Sequence, residues 1–216
     1  MTNAVPPSSR DVILGAIREG LRHPSPVELH ADPGPAWPAT PPRATGLARF
    51  REVFAAINGV YAEAGAAETV AAHLETAARA QGWKRVYATD TPLLRRLGVR
   101  DALRRLGCWC ESPYVKDAAG RNRPAELDAL VTGIDWVLAE TASFVHLAKP
   151  GEGRMTTLIA PVLVVLFTDD QLVETLDDVL ARAGDALRGG GRSCLTFITG
   201  PSRTADIENS LTIGVH

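Results

Sequence analysis

Apolar positions recur along this chain with two periods, and the change between them marks its organisation. Val12, Ile13, Ala16 and Ile17 fall at helical spacing and Gly20 follows them, which predicts a short amphipathic helix over 9–19. The next stretch, 22–43, carries Pro24, Pro26, Pro33, Pro35, Pro38, Pro41 and Pro42. Prolines at that density remove backbone donors and forbid a regular helix or a central strand. Residues 1–44 therefore read as a helix plus an irregular arm, with Trp37 as a docking point, and 45–216 as a separate domain.

From Thr45 the pattern alternates between helix and strand. Leu47, Phe50, Phe54 and Ile57 share a helical face that ends near Gly59, and 60–64 can form a short strand. A helix over 67–80 turns Val70, Leu74 and Ala78 inward and stops at Gly82; a strand follows at 85–88. Thr91 and Pro92 supply an N-cap and a first-turn proline for a helix interrupted at Gly98, and 108–111 is a brief strand. Apolar runs at 130–137 and 143–147 flank a turn at 139–141. The run 162–167 is continuously apolar, as in a strand covered on both faces.

Thr168 and Gln171 form a capping-box pair ahead of Leu172, Val173, Leu176, Val179, Leu180, Ala183 and Leu187, so one long helix is expected up to Gly189, Gly190 and Gly191. Strands at 194–199 and 211–215 close the chain. This alternation predicts an α/β fold, three-layer α/β/α with a mostly parallel sheet. Ligands in such sheets bind beyond the carboxyl ends of strands.

Composition narrows the class. Apolar residues at 45% can build a core, but the longest apolar run, 158–167, contains Pro161 and is far short of the ~20 residues a membrane span needs. A net charge of −2 gives no electrostatic reason to expect nucleic acid. The densest basic group, Arg95, Arg96, Arg100, Arg104 and Arg105, has no interleaved aromatic residues and reads as a solvated helix face. No apolar leader core stands at 1–9, so a cytoplasmic setting is expected. The three cysteines, Cys108, Cys110 and Cys194, lack the number and spacing of a zinc or iron–sulfur site and read as reduced thiols. His23, His30, His73 and His146 are scattered, and no metal site is expected. The triple glycine follows a helix and precedes a strand, the reverse of a phosphate loop.

Two segments could carry chemistry. The string 199–208 follows a strand and holds Gly200, Ser202, Arg203, Thr204, Asp206 and Glu208. A helix starting there would aim free N–H groups, two hydroxyls and a guanidinium at a carboxylate or phosphate. The alternative is a capped turn with Arg203 paired to Asp206 or Glu208. The second segment is 138–143, where Glu140 could serve as a base, nucleophile or orienting group beside hydroxyls, or could be a glutamate bonded to nearby backbone.

The string Phe197-Ile198-Thr199-Gly200-Pro201-Ser202-Arg203-Thr204-Ala205-Asp206-Ile207-Glu208, followed by Gly214-Val215-His216, resembles the hallmark of the lactate-utilization protein C family, the LUD-domain (LutC-like) proteins. Gly133-Ile134 and Ala139-Glu140-Thr141 support the resemblance, which covers roughly 45–216. Two departures stand out. The family commonly has Gly-Thr where this chain has Ala142-Ser143, and it usually continues past the final histidine with a further strand. The resemblance implies a fold like the NagB/RpiA sugar-phosphate isomerases and the CoA-transferases. It also implies a non-redox role in oxidising L-lactate to pyruvate, beside iron–sulfur partner proteins that carry the clusters, with no cofactor on this chain. The implied ligand set is Gly200, Ser202, Arg203, Thr204, Asp206, Glu208, Thr141 and His216, with Glu140 as the candidate catalytic carboxylate. Two other readings stay open: a free-standing CoA-transferase-like or phosphosugar-isomerase-like enzyme, and a regulatory or scaffolding protein without a small ligand.

Overall fold

The computed structural model describes residues 9–22, 45–148, 155–188, 194–201, 203–205 and 211–213, the last two segments as backbone. The chain falls into two units, 1–42 and 43–216. In the first, α1 (Ser9–Arg22) runs past Gly20, and an ion pair between Glu19 and Arg22 at 3.0 Å closes its last turn. Its apolar stripe, Val12, Ile13, Ile17 and Leu21, is exposed. The proline-rich arm at 23–44, with Trp37, lies outside the described residues.

The second unit is an α/β fold built on two sheets. The first is parallel, in the order β1 (Val86–Ala88), β4 (Ala129–Gly133), β7 (Val162–Leu166). Alternation along these strands sends Val86, Ala88, Ala129 and Val131 to one face. There they meet Val70, Leu74 and Ala78 of α3 (Ala67–Gln81), Leu94 of α4 (Pro92–Arg96), and Val99 and Leu103 of α5 (Val99–Arg105). Leu130 and Leu163 point the other way, against Ala125, Leu127 and Ile159. A small antiparallel pair, β2 (Tyr114–Lys116) with β3 (Asn122–Pro124), folds around Asp117, whose carboxylate accepts from the N–H groups of Ala119 and Arg121.

The second sheet has the order β8 (Leu172–Val173), β5 (Trp136–Leu138), β6 (Ser143–Leu147), β9 (Leu195–Ile198), with β6 antiparallel to both neighbours. One face carries α2 (Gly46–Ala56), whose fully buried Phe50 sits with Phe54, Tyr61, Phe144 and Phe167 at ring separations of 5.1–6.1 Å. The other face packs Leu138, Val145 and Val173 against Val179 of α6 (Leu176–Arg188). The expected helix–sheet–helix layering holds, with antiparallel strands added in this sheet.

Several expected elements differ. The segment expected as a strand at 60–64 has no regular structure, and Val60 is 94% exposed, because no neighbouring strand pairs with it. Residues 108–111 make only an isolated bridge from Trp109 to Val86. The run 130–137 is two strands, one in each sheet. β7 pairs only with β4 among the described residues, and its five positions are half-buried rather than covered on both faces. The capping pair at Thr168 is real, with the Gln171 Oε1 accepting the Thr168 N–H at 2.8 Å, but it closes a single 3-10 turn (Asp169–Gln171). The chain then pairs as β8, and α6 starts only at a second reciprocal cap. There Asp178 Oδ2 accepts the Thr175 N–H at 3.0 Å, and Thr175 Oγ1 accepts the Asp178 N–H at 3.3 Å. Sheet pairing of 172–173 outcompetes helix there, and Leu176, Leu180 and Leu187 are left exposed. The glycines at 189–191 lie outside the described residues. The arginine cluster is largely an exposed helix face, as expected, and tertiary folding adds an aromatic neighbour: the guanidiniums of Arg100 and Arg104 lie 5.4 and 5.2 Å from the Trp109 ring centroid.

Two packing details generate measurable expectations. A Cβ built on Gly133 would lie 2.8 Å from Thr91 Oγ1, the atom that caps α4 by accepting the Leu94 N–H. Gly133→Ala must displace that cap and should cost about 1–2 kcal/mol in urea unfolding. Thr91→Ala should cost a similar amount, with the double variant clearly less than additive. The Asp128 carboxylate accepts the backbone N–H groups of Lys84 and Arg85 at 2.7 and 2.8 Å, which hold its pKa below the usual carboxylate range. Its folded pKa is depressed, so its stabilisation is present above the unfolded value of about 3.9 and is lost as pH falls through the folded value. Asp128→Ala should lose about 1–2 kcal/mol at pH 7 and show a shallower loss of stability below about pH 4. Equal losses at pH 7 and pH 2 would contradict that assignment.

Candidate functional site

The segments singled out in the sequence, 138–143 and the start of 199–208, meet at one corner of the second sheet. β5 and β6 are joined by a turn through Ala139–Ala142, and the antiparallel register of β6 with β9 brings Phe144 opposite Ile198. That register sets Ser143 beside Thr199. Ser143 Oγ lies 2.6 Å from Thr199 Oγ1 and 2.6 Å from Thr141 Oγ1, giving an unbroken chain of three hydroxyls. Ser143 is 3% exposed, whereas Thr141 and Thr199 reach solvent. Glu140 is exposed beside them, and its N–H donates to the Glu174 carbonyl at 3.2 Å.

Two residues at this corner have left-handed backbone. Gly200 has φ +69°, and a Cβ there would stand 3.0 Å from Ile57 Cδ1, so glycine is required by both conformation and the close approach of Ile57. Ala142 has φ +52° and is fully buried.

Beyond Gly200 the described residues form no helix where a short one was expected. Arg203 and Thr204 lie on β10 (Arg203–Ala205), which pairs antiparallel with β11 (Leu211–Ile213). Strand pairing between these two apolar-and-threonine segments replaces the helix N-terminus proposed as an amide cradle. Ser202, Asp206, Glu208 and His216 lie outside the described residues. The corner thus unites Glu140, Thr141 and Gly200 and adds Ser143 and Thr199. The signal for these two lay in their positions, a serine opening the strand after the turn and a threonine immediately before Gly200.

A second feature lies elsewhere. A cleft of about 450 Å³ opens at the carboxyl ends of the three parallel strands, lined in part by Thr91 after β1, Gly133 and Asp135 after β4, and Thr168 and Gln171 after β7. His146 of β6 also lines it, with Nδ1 3.6 Å from Asp135 Oδ2, which in turn accepts the Leu147 N–H at 2.8 Å. Gln171 ties the site together, since its amide nitrogen donates to the carbonyls of Ile134 and Asp135. Neither Asp135 nor His146 stood out in the sequence. They become neighbours only because Asp135 N–H bonds to the Val145 carbonyl across the β5–β6 pair.

Of the cysteines, Cys108 is buried, its Sγ donates to the Leu103 carbonyl, and burial pushes its thiol pKa up. Among the described residues no cluster of three or more His, Cys, Asp or Glu has metal-binding proximity. No helix among them is long and apolar enough to cross a membrane.

Comparison with known proteins follows this geometry. Residues 48–216 match the family model described as the LUD domain. "Lactate utilization protein C" of Geobacillus kaustophilus is 30% identical over 162 residues, 69% of this chain and 67% of that protein. The protein of the same name from Shouchella clausii is 33% identical over 140 residues, 62% of this chain and 59% of its own. The alignments with relatives from Halalkalibacterium halodurans and Geobacillus sp. cover 42% and 36% of those proteins, so the matched stretch spans from about a third to two thirds of such relatives. A crystal structure of a DUF162 family protein from Deinococcus radiodurans shares the fold, with a TM-score of 0.53 and 22% identity over 71% of this chain and 86% of that one.

The corner makes its own stability prediction. Ala142→Gly relieves a left-handed alanine costing about 1–2 kcal/mol, but loses a buried methyl and adds unfolded-state freedom, so its net change should be under about 1 kcal/mol. Ala142→Val, β-branched and overpacked, should destabilise by about 2–4 kcal/mol in denaturant titration. A tolerated valine would show that this turn relaxes out of the left-handed region.

Proposed function

This chain belongs to the LUD domain family, and from that premise we propose that it is a non-redox component of an iron–sulfur-dependent L-lactate utilization system. It binds a small carboxylate- or phosphate-bearing ligand where 139–143 meets 199–205. The observation that carries this reading is the Ser143–Thr199 hydrogen bond, which joins two segments 56 residues apart at one corner. The names of the relatives, lactate utilization protein C, supply the pathway.

Thr141 and Thr199 present partly solvated hydroxyls whose polarity is relayed through Ser143, and Arg203 follows on the adjoining strand as a cation for the anionic group. Glu140 orients the ligand hydroxyl from the turn. The electron-transferring clusters reside on partner proteins in the cytoplasm.

Deleting the gene should abolish growth on L-lactate as the carbon source. Wild-type chain should restore growth, and Arg203→Ala should restore it poorly while folding normally by circular dichroism. Purified protein alone should not turn lactate into pyruvate. Unimpaired growth of the deletion strain would sink the lactate assignment. A covalent thioester at Glu140 after incubation with acyl-CoA would replace it with a transferase reading.

A further inference from the structure

The parallel sheet ends in a cleft that the hydroxyl corner does not explain. Its polar walls are held in place by bonds that need no ligand. Thr91 Oγ1 caps α4, Asp135 Oδ2 accepts the Leu147 N–H, and Gln171 is bonded at both its amide oxygen and nitrogen. Gly133 keeps one side open, since a side chain there would collide with Thr91. Such preorganised polar groups around a few hundred Å³, just past the carboxyl ends of parallel strands, are what small-molecule sites in α/β sheets require.

The lining also states its chemistry. Arg96 is exposed on the cleft and, among the described residues, makes no ion pair, unlike Arg95, which is paired with Asp90 at 2.8 Å. It offers a planar fork of donors to a carboxylate. Two carboxylates, Asp135 and Asp170, also line the cleft, which disfavours a dianion and favours ligand hydroxyls as donors. The hydroxyls of Thr91 and Thr168 add uncharged partners, and Leu93 and Ile134 give an apolar wall for carbon-bound hydrogens.

We infer that this cleft is a second binding site, specific for a monocarboxylate bearing several hydroxyl groups, of the sugar-acid class. The carboxylate sits on Arg96, and the hydroxyl chain runs toward Asp135 and Asp170. At about 450 Å³ the cleft is much larger than a three-carbon acid needs. The site is independent of the ligand reading for the 139–143 corner.

The test is a titration of the full chain followed by amide NMR, with D-gluconate, sorbitol and acetate as probes. Sorbitol lacks the carboxylate and acetate lacks the hydroxyl chain. Gluconate should saturate shifts at Thr91, Gly133 and Thr168, and each half-probe should bind at least about tenfold more weakly. Arg96→Ala, a change at an exposed position, should weaken gluconate about tenfold or more and leave sorbitol unaffected, the loss expected for one charge-assisted contact. Asp135→Asn should weaken gluconate and sorbitol alike. Lys116→Ala, an exposed change on β2 away from both places, should change neither. Equal binding of gluconate and acetate, or an Arg96→Ala protein that binds gluconate normally, would overturn the inference. Gluconate shifts confined to Thr141, Ser143 and Thr199 would also overturn it, while leaving the corner reading intact.

Discussion

The structure turns on the passage of the chain from one sheet to the other at Gly133, Ile134 and Asp135. β4 ends at Gly133 in the parallel sheet and β5 begins at Trp136 in the mixed one. Three constraints hold this crossing. Gly133 admits Thr91, Asp135 accepts the Leu147 N–H, and the Gln171 amide spans to the carbonyls of both Ile134 and Asp135. A buried backbone carbonyl left without a donor is costly, so Gln171 is as structural as any apolar residue near it. Ile134 then enters the aromatic cluster around Phe50, which commits the second sheet to lie under α2.

That crossing separates two chemically different places. Past the carboxyl ends of the parallel strands it leaves a cleft whose walls come from both sheets, with Asp135 just before β5 and His146 on β6. At the far end of the β5–β6 pair, the tight turn and the start of the C-terminal string are joined by three hydroxyls. The first place is roomy and carries charges of both signs. The second is narrow, with left-handed backbone at Ala142 and Gly200.

How much was readable in advance depended on how local each signal was. The helix at 67–81, with Val70, Leu74 and Ala78 inward, and the Thr91–Pro92 start of α4 follow from neighbours within a turn or two. The same local logic misplaced α6. Two capping pairs, at Thr168 and at Thr175, compete in one stretch, and only the pairing of 172–173 with β5 decides between them. A single strand over 130–137 is likewise the local reading of a mostly apolar stretch, although Gly133 and Asp135 interrupt it where the chain changes sheet.

The amino-acid order by itself determined the α/β class and most helix and strand positions, because periodicity, caps and glycines act over a few residues. It also carried enough of a distinctive string to place the chain in its family. Only the tertiary structure decided that Ser143 joins Thr141 to Thr199, that Asp135 faces His146, and that Trp109 lies beneath two arginines. Each of those contacts joins residues from different elements, and their proximity is set by strand register and sheet order, which no local pattern encodes.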